Sequence, residues 1–269
     1  MSIDRPSSAE VRYDRPSAAR IHDYLLGGYH NFEVDRIAAQ QFAKVLPHVV
    51  QGMRVNRAFL RRVVKFLVAQ GIDQFLDLGS GIPTAGNVHE IAQQANPSAR
   101  IVYVDNELVT VRHSEMILGD NSNATIIHAD LRQLEVILNN PQTQRLLDLN
   151  KPAAVLFLSI LQFVTDDEEA YRTVRSYRKV LTLGSYIAIS HPTIQEGGMS
   201  PEQMAQGEKV YPIPVNIRSR VQIEEFFEGL ERVKPGLVYA PLWHPEGPDD
   251  LLLDQPELAS LHAGVGRKP

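Results

Sequence analysis

"QFLDLGSGIPTAGNVH", residues 74–89, decides how this chain is read. A short apolar run carries Asp77, glycines follow at 79 and 81, and a helical pattern then begins. That strand–turn–helix order is the one in which open α/β sheets bind ligands at the carboxyl ends of their strands. Glycines there let the backbone come close to a ligand. A dinucleotide fingerprint needs a third glycine at position 84, where Thr84 stands, and no lysine follows as in a nucleotide-gripping loop. Taken alone, the stretch also fits a plain strand–helix turn.

Downstream, the apolar runs "RIVYVDNE", "ATIIHADL", "AAVLFLSI" and "SYIAIS" alternate with helical segments, among them "LVTVRHSEMILG", "LEVILNNPQTQRLLDL" and "DEEAYRTVRSYRKVL". Such alternation predicts an α/β fold with a doubly wound, mainly parallel, Rossmann-like sheet covered on both faces. After the helix "RVQIEEFFEGL", the runs "GLVYAPLWHP" and "LASLHAGVGRKP" predict two further strands, seven in all. Upstream, three helices form an N-terminal extension: one opening at Pro16 and Ser17, one over Val34 to Leu46, and one over Val55 to Gln70. The third places Val55, Phe59, Val63, Phe66 and Leu67 on one stripe. We read 1–16 as a flexible lead, 17–71 as a helical cap over the ligand site, and 72–269 as the ligand-binding domain. Within it, 191–216 forms a polar insertion on the substrate side.

The 269 residues contain no cysteine, which excludes disulfides, thiolate metal sites and a cysteine nucleophile. A net charge of -5 gives no electrostatic reason to expect nucleic acid as partner. No apolar run approaches the roughly 20 residues that span a bilayer, and the first residues lack the apolar core of a secretory signal. A cytoplasmic protein is expected. No histidines stand at metal-binding spacing, so no metal is expected.

Three carboxylates mark three successive strand ends: Asp77 in the glycine loop, Asp105 after the second strand and Asp130 after the third. Asp105 is placed to accept ribose hydroxyls, and Asp130 to read an adenine edge. This lining suits a ligand with cationic groups, a ribose and no phosphate, because like charges in a low-dielectric cleft repel strongly. S-adenosylmethionine meets that description and NAD does not.

The same residues carry a resemblance. "ARIHDYLLGGYHNFEVDR" (19–36), "NRAF" (56–59), "QFLDLGSGIPTAGNVH" (74–89), "YVDN" (103–106) and "HADLR" (128–132) resemble a bacterial family of class I S-adenosylmethionine-dependent methyltransferases first catalogued as a domain of unknown function. The likeness covers nearly the whole chain. Two departures stand out: Glu107 and Leu108 replace the usual Asp-Pro after "YVDN", and Gln162 replaces a histidine after the fourth strand. The resemblance implies S-adenosylmethionine as cofactor, held by Asp77, Gly79, Ser80, Gly81, Thr84, Asp105, Asn106, Asp130, Leu131 and Ser159. It implies a lid in which Gly27 and Gly28 bring backbone close to the ligand, beside Tyr24, Asn31 and Phe32. Arg20, Arg54 and Arg57 are candidates to neutralise the cofactor carboxylate. For Arg54, Arg57, Arg61 and Arg62 a solvated helix face is the competing reading. A helix C-cap is the competing reading of the glycine pair.

His191, at the end of the fifth strand, is the candidate general base, and a structural hydrogen bond is the alternative. Met199, Met204, Tyr211 and Pro212 are expected to wall a small-molecule acceptor pocket. Methyl transfer to that acceptor is the expected activity; a cofactor-binding sensor or partner module without turnover is the alternative. Trp243 reads as packing.

Overall fold

A computed structural model describes residues 14–82, 86–193, 201–211 and 213–269. Helices α1 (Ala18–Leu25), α2 (Glu33–Val45) and α3 (Val49–Ala69) come first. Ser17 caps α1 by accepting from the Arg20 N–H. Residue 34 was expected to open α2; it starts at Glu33, with Asp35 reaching back to the Phe32 N–H. The third helix begins six residues before the expected Val55, after Pro47 and His48.

The sheet begins with β1 (Gln74–Leu78), followed by α4 (Val88–Ala95), β2 (Arg100–Asp105), α5 (Leu108–Leu118) and β3 (Ala124–His128). Helices α6 (Leu134–Leu138) and α7 (Pro141–Leu146) stand where one helix was expected. The break follows from Asn140, which caps α7, and Pro141 in its first turn. Then come β4 (Ala154–Leu158), α8 (Asp167–Val180), β5 (Tyr186–Pro192), α9 (Pro201–Val210), α10 (Arg220–Glu225), β6 (Glu231–Arg232), β7 (Val238–Tyr239) and β8 (Leu261–Arg267). Helix α9 lies inside the insertion that was read only as polar.

Strand order is β3-β2-β1-β4-β5-β8-β6, with β7 also on β8. The first five strands run parallel and β8 lies antiparallel to β5. The expected sheet is therefore present, with one correction to the strand count. The penultimate position is two short pieces, β6 and β7, both pairing with β8. "GLVYAPLWHP" supplies only Val238 and Tyr239; a 3-10 turn over Ala240–Leu242 follows, because Pro241 has no N–H for a ladder.

Alternate strand residues face opposite layers, as the pleat requires. Phe75, Ile101, Tyr103 and Leu156 pack with Phe59, Val63 and Leu67 of α3. Leu76, Val102, Val155 and Phe157 pack with Val174 and Tyr177 of α8. The C-terminal part of α3 thus belongs to the sheet's core. Arg62 is a buried exception on its surface, donating to the carbonyls of Trp243 and Ala240 at 2.8 and 2.7 Å. No helix among the described residues is long and apolar enough to cross a membrane.

Candidate functional site

A cavity of about 420 Å³ opens at the carboxyl ends of β1 to β4. Its floor includes Asp77, Gly79, Ser80, Gly81, Asp105, Asn106, Asp130, Leu131 and Ser159; Arg57 borders it from α3. The three strand-end carboxylates of the sequence are thus brought together. Among the described residues no group of three side chains is arranged to hold a metal.

The loop after β1 is braced from below. Gly79 N–H donates to the Val104 carbonyl at 2.8 Å, and Gly81 N–H donates to Asp105 Oδ2 at 3.0 Å. Asp105 Oδ1 accepts the Glu107 N–H at 2.9 Å. Each Asp105 oxygen retains a second lone pair for a ligand. The two glycines differ in what requires them. Both have positive φ. A Cβ on Gly79 would lie 2.2 Å from Ile160 Cδ1, whereas one on Gly81 would meet nothing within 4 Å. Gly79 is demanded by packing, and Gly81 leaves open space for a ligand.

Burial pushes the Asp77 carboxyl up to about 7, against the pull of Arg57 and with some repulsion from Asp105. Burial likewise raises Asp105 to about 6, with its two backbone donors working the other way. Arg57 donates to the Gly86 carbonyl and to Asn87 Oδ1, both at 3.1 Å, so its guanidinium is oriented beside Asp77. Asp130 pairs with Arg132 through Oδ2 at 2.6 Å, and that partner holds its carboxyl below the usual range.

Several candidates lie outside the cavity lining. Arg20 is buried, and its guanidinium has other partners: Asp35 Oδ2 at 2.7 Å, Glu107 Oε1 at 3.2 Å and the Arg15 carbonyl at 2.6 Å. It packs over the Phe32 ring, 5.2 Å from the centroid. Arg20 therefore ties the cap to the end of β2 rather than meeting a carboxylate ligand. Arg54 is exposed on α3. The Tyr24 hydroxyl accepts from Gln40.

The "DYLLGGYHN" segment closes on its own aspartate. Asp23 Oδ2 accepts the His30 N–H and the Asn31 Nδ2–H, both at 2.8 Å. Gly27 takes φ 85°, which ends α1. A Cβ on Gly28 would lie 2.0 Å from Asp23 Oδ1. Gly27, Gly28 and Asn31 thus shape the turn, and it is His22 and Asp23 beside it that border the cavity.

His191 is not among the residues that border the cavity. It is fully buried, donates from Nδ1 to the Pro192 carbonyl at 2.6 Å, and has Nε2 3.2 Å from Arg218 Nη1. Burial first, and the neighbouring Arg218 charge among the lesser causes, bring its pKa down to about 3. This is the hydrogen-bonded setting of the structural alternative, and it leaves Nε2 beside a buried cation rather than at the cavity. Of the acceptor-wall candidates, Tyr211 borders the cavity. Thr84, Met199 and Pro212 lie outside the described residues, as does the Met204 side chain.

The lining also includes His22, Asn56, Glu107 and Gln162, none of which was among the expected site residues. Asn56 Oδ1 accepts from Ser190 Oγ at 2.6 Å, linking α3 to β5. The Glu107 carboxylate accepts from Ser17 Oγ as well as Arg20. "NRAF" and the Glu107 departure were the available signals; nothing local foretold His22.

No curated protein matches the chain in sequence. A family model described as S-adenosyl methyltransferase matches residues 4–269. A candidate methyltransferase from Thermobifida fusca YX is 37% identical over 95% of this chain and 97% of its own, with a TM-score of 0.87. A DUF574 family protein from Streptomyces avermitilis MA-4680 is 34% identical over 97% of this chain and 100% of its own, with a TM-score of 0.89. The chain belongs to the S-adenosyl methyltransferase family and is an S-adenosyl-L-methionine-dependent methyltransferase.

Proposed function

We propose that the protein transfers the methyl group to a small organic acceptor that enters the same cavity as the cofactor. One observation carries this reading: the acidic floor continues without a break into an apolar wall of Phe42, Leu46, Leu60, Phe163, Tyr211, Ile213 and Val215. A cavity of about 420 Å³ falls in the range of roughly 300–1,000 Å³ typical of small-molecule sites. The net charge of -5 supports a small acceptor over a nucleic acid.

In this reading Asp77 faces the methionine ammonium and Arg57 its carboxylate. Asp105 and Asn106 take the ribose, and Asp130 and Leu131 border the adenine. S-adenosylmethionine supplies a methyl group already activated by the sulfonium. The chain's own contribution is alignment, worth about 7–11 kcal/mol in well-oriented reactions. In this reading helices α1 to α3 are the cap that keeps water from the cofactor; Ala18, His22 and Leu26 of α1 and its C-cap border the cavity.

Calorimetric titration with S-adenosylmethionine and S-adenosylhomocysteine tests the floor, on wild type and on Asp105→Ala. Micromolar binding that is lost in the variant supports the assignment. Methyl transfer to RNA, DNA or protein substrates, with none to small molecules, would overturn the acceptor reading.

A further inference from the structure

Gln162 sits in the turn after β4, borders the cavity and is only 8% exposed. Its Nε2 donates to the Ser159 carbonyl at 2.7 Å. That contact settles the amide orientation, since the flipped form would set two oxygens against each other. Oε1 is consequently a buried acceptor with no donor among the described residues. Buried polar atoms are nearly always paired, so this oxygen, on the cavity border, is open to a donor from a ligand.

The turn is rigid before any ligand arrives. Arg218 donates to the Leu161 and Val164 carbonyls at 2.9 and 2.8 Å, on either side of Gln162. The Asn216 N–H donates to the Gln162 carbonyl at 2.8 Å. Arg218 is itself fully buried. Arg218 is therefore a positioning residue.

Strand order places Gln162 at the reacting end. β4 flanks β1 on the side opposite β2 and β3. With the adenosyl group over Asp105 and Asp130, the methionine end lies towards β1 and β4. The wall there is aromatic: the Phe42 and Tyr211 rings lie 4.7 Å apart, and Phe163 stacks on Tyr211 at 6.3 Å.

The basic groups in reach are weak. Asp77 is assigned to the methionine ammonium, Asp105, Glu107 and Asp130 hold the partners given above, and Asp23 accepts the two donors of its own turn through Oδ2, with only Oδ1 lacking a partner among the described residues. Burial and the Arg57 charge hold His22 down at about 4, and the His48 ring is tied to Gln51 at 3.1 Å. A hydroxyl acceptor needs its proton removed during transfer. A free amine has its lone pair ready once the ammonium has lost its proton to solvent before entry, so no base is needed during transfer itself.

We infer that Gln162 Oε1 accepts an N–H of the methyl acceptor, and that the acceptor is an arylalkylamine whose ring lies against Phe42, Tyr211 and Phe163. This rests on the methyl-transfer reading above. The amine lone pair forms the new C–N bond while the C–S electron pair returns to sulfur, leaving the thioether of S-adenosylhomocysteine. The methylated ammonium then loses its proton to water.

The test uses matched probes, 2-phenylethylamine, 2-phenylethanol and 4-ethylphenol, with S-adenosylmethionine labelled in the methyl group, on wild type and Gln162→Leu. Labelled N-methyl product from the amine alone is expected. In Gln162→Leu the amine KM rises about tenfold or more, as loss of one buried hydrogen bond implies, while S-adenosylmethionine affinity stays within about twofold. Unchanged affinity for the cofactor shows that the variant is folded. Transfer to either hydroxyl probe, transfer to none of the three, or an unchanged amine KM in the variant each overturns the inference. Failure of wild type to bind S-adenosylmethionine would instead count against the cofactor-site reading, and calorimetry separates the two.

Discussion

Arg20 Nε donates to Asp35 Oδ2 at 2.7 Å, with both side chains essentially removed from solvent. Asp35 also accepts the Ser17 and Phe32 N–H groups at 2.9 and 2.8 Å. One carboxylate thus fastens the start of α1, the start of α2 and the guanidinium that reaches Glu107 at the end of β2.

Removing the acid should therefore cost more than removing the base. Asp35→Ala leaves a buried cation and two unpaired N–H groups, for a loss of about 3–5 kcal/mol. Arg20→Met, which keeps the apolar stem, should cost less. Urea denaturation of both variants measures the order; equal losses would contradict the picture of Asp35 as the shared anchor.

The two loop glycines should separate stability from binding. Gly79→Ala forces a Cβ against Ile160 and should destabilise by about 1–3 kcal/mol. Both variants pay about 1–3 kcal/mol for positive φ, so Gly79→Ala, which adds the clash, should be the less stable of the two, whereas Gly81→Ala has room for its Cβ and narrows the cofactor floor. Paired thermal melts and calorimetry should show the greater loss of S-adenosylmethionine affinity in Gly81→Ala.

Asp77 makes a prediction about pH. Its folded pKa of about 7 lies above the ordinary 3.8, so the folded chain holds a proton that the unfolded chain has released. Its contribution to stability is present below about pH 4 and is lost as pH rises through 7. Asp77→Asn should therefore leave the melting temperature of the free protein unchanged near pH 4 and raise it at pH 8. Binding of a cationic ammonium needs the ionised carboxylate. Cofactor affinity should accordingly strengthen between pH 6 and 8 with proton release, which titration in buffers of different ionisation enthalpy measures.

His191 gives the opposite sign. A folded pKa of about 3, against 6.5 for the free side chain, means stability that is present above about 6.5 and lost as pH falls towards 3. His191→Gln should flatten this acid limb. Methyl transfer at pH 8 should remain within a few-fold of wild type; a loss of about a hundredfold or more would restore His191 as a base.

The sheet was legible because its signals are local. Runs such as "RIVYVD" and "AAVLFL" are apolar on both pleat faces, and each is followed by a helical pattern, so strand and helix follow from neighbouring residues. The same holds for the strand-end carboxylates. A topology rule brings the ends of β1, β2 and β3 to one edge, and Asp77, Asp105 and Asp130 go with them. The split of 134–149 into two helices is local too, since "NNP" carries both the cap and the first-turn proline of the second helix.

The sequence by itself determined the fold, the family and the acidic floor of the cavity, since all three rest on short-range patterns and on a fixed strand order. Only the tertiary structure decided which polar side chains border the cavity and which are paired elsewhere. Arg20 and Arg57 look alike in the chain, but one meets Asp35 and Glu107 while the other stands beside Asp77. His191 stands next to the last residue of its strand, yet its ring is held by Pro192 and Arg218. Whether a buried charge or ring is already satisfied depends on partners brought together from distant parts of the chain, and no local pattern encodes that pairing.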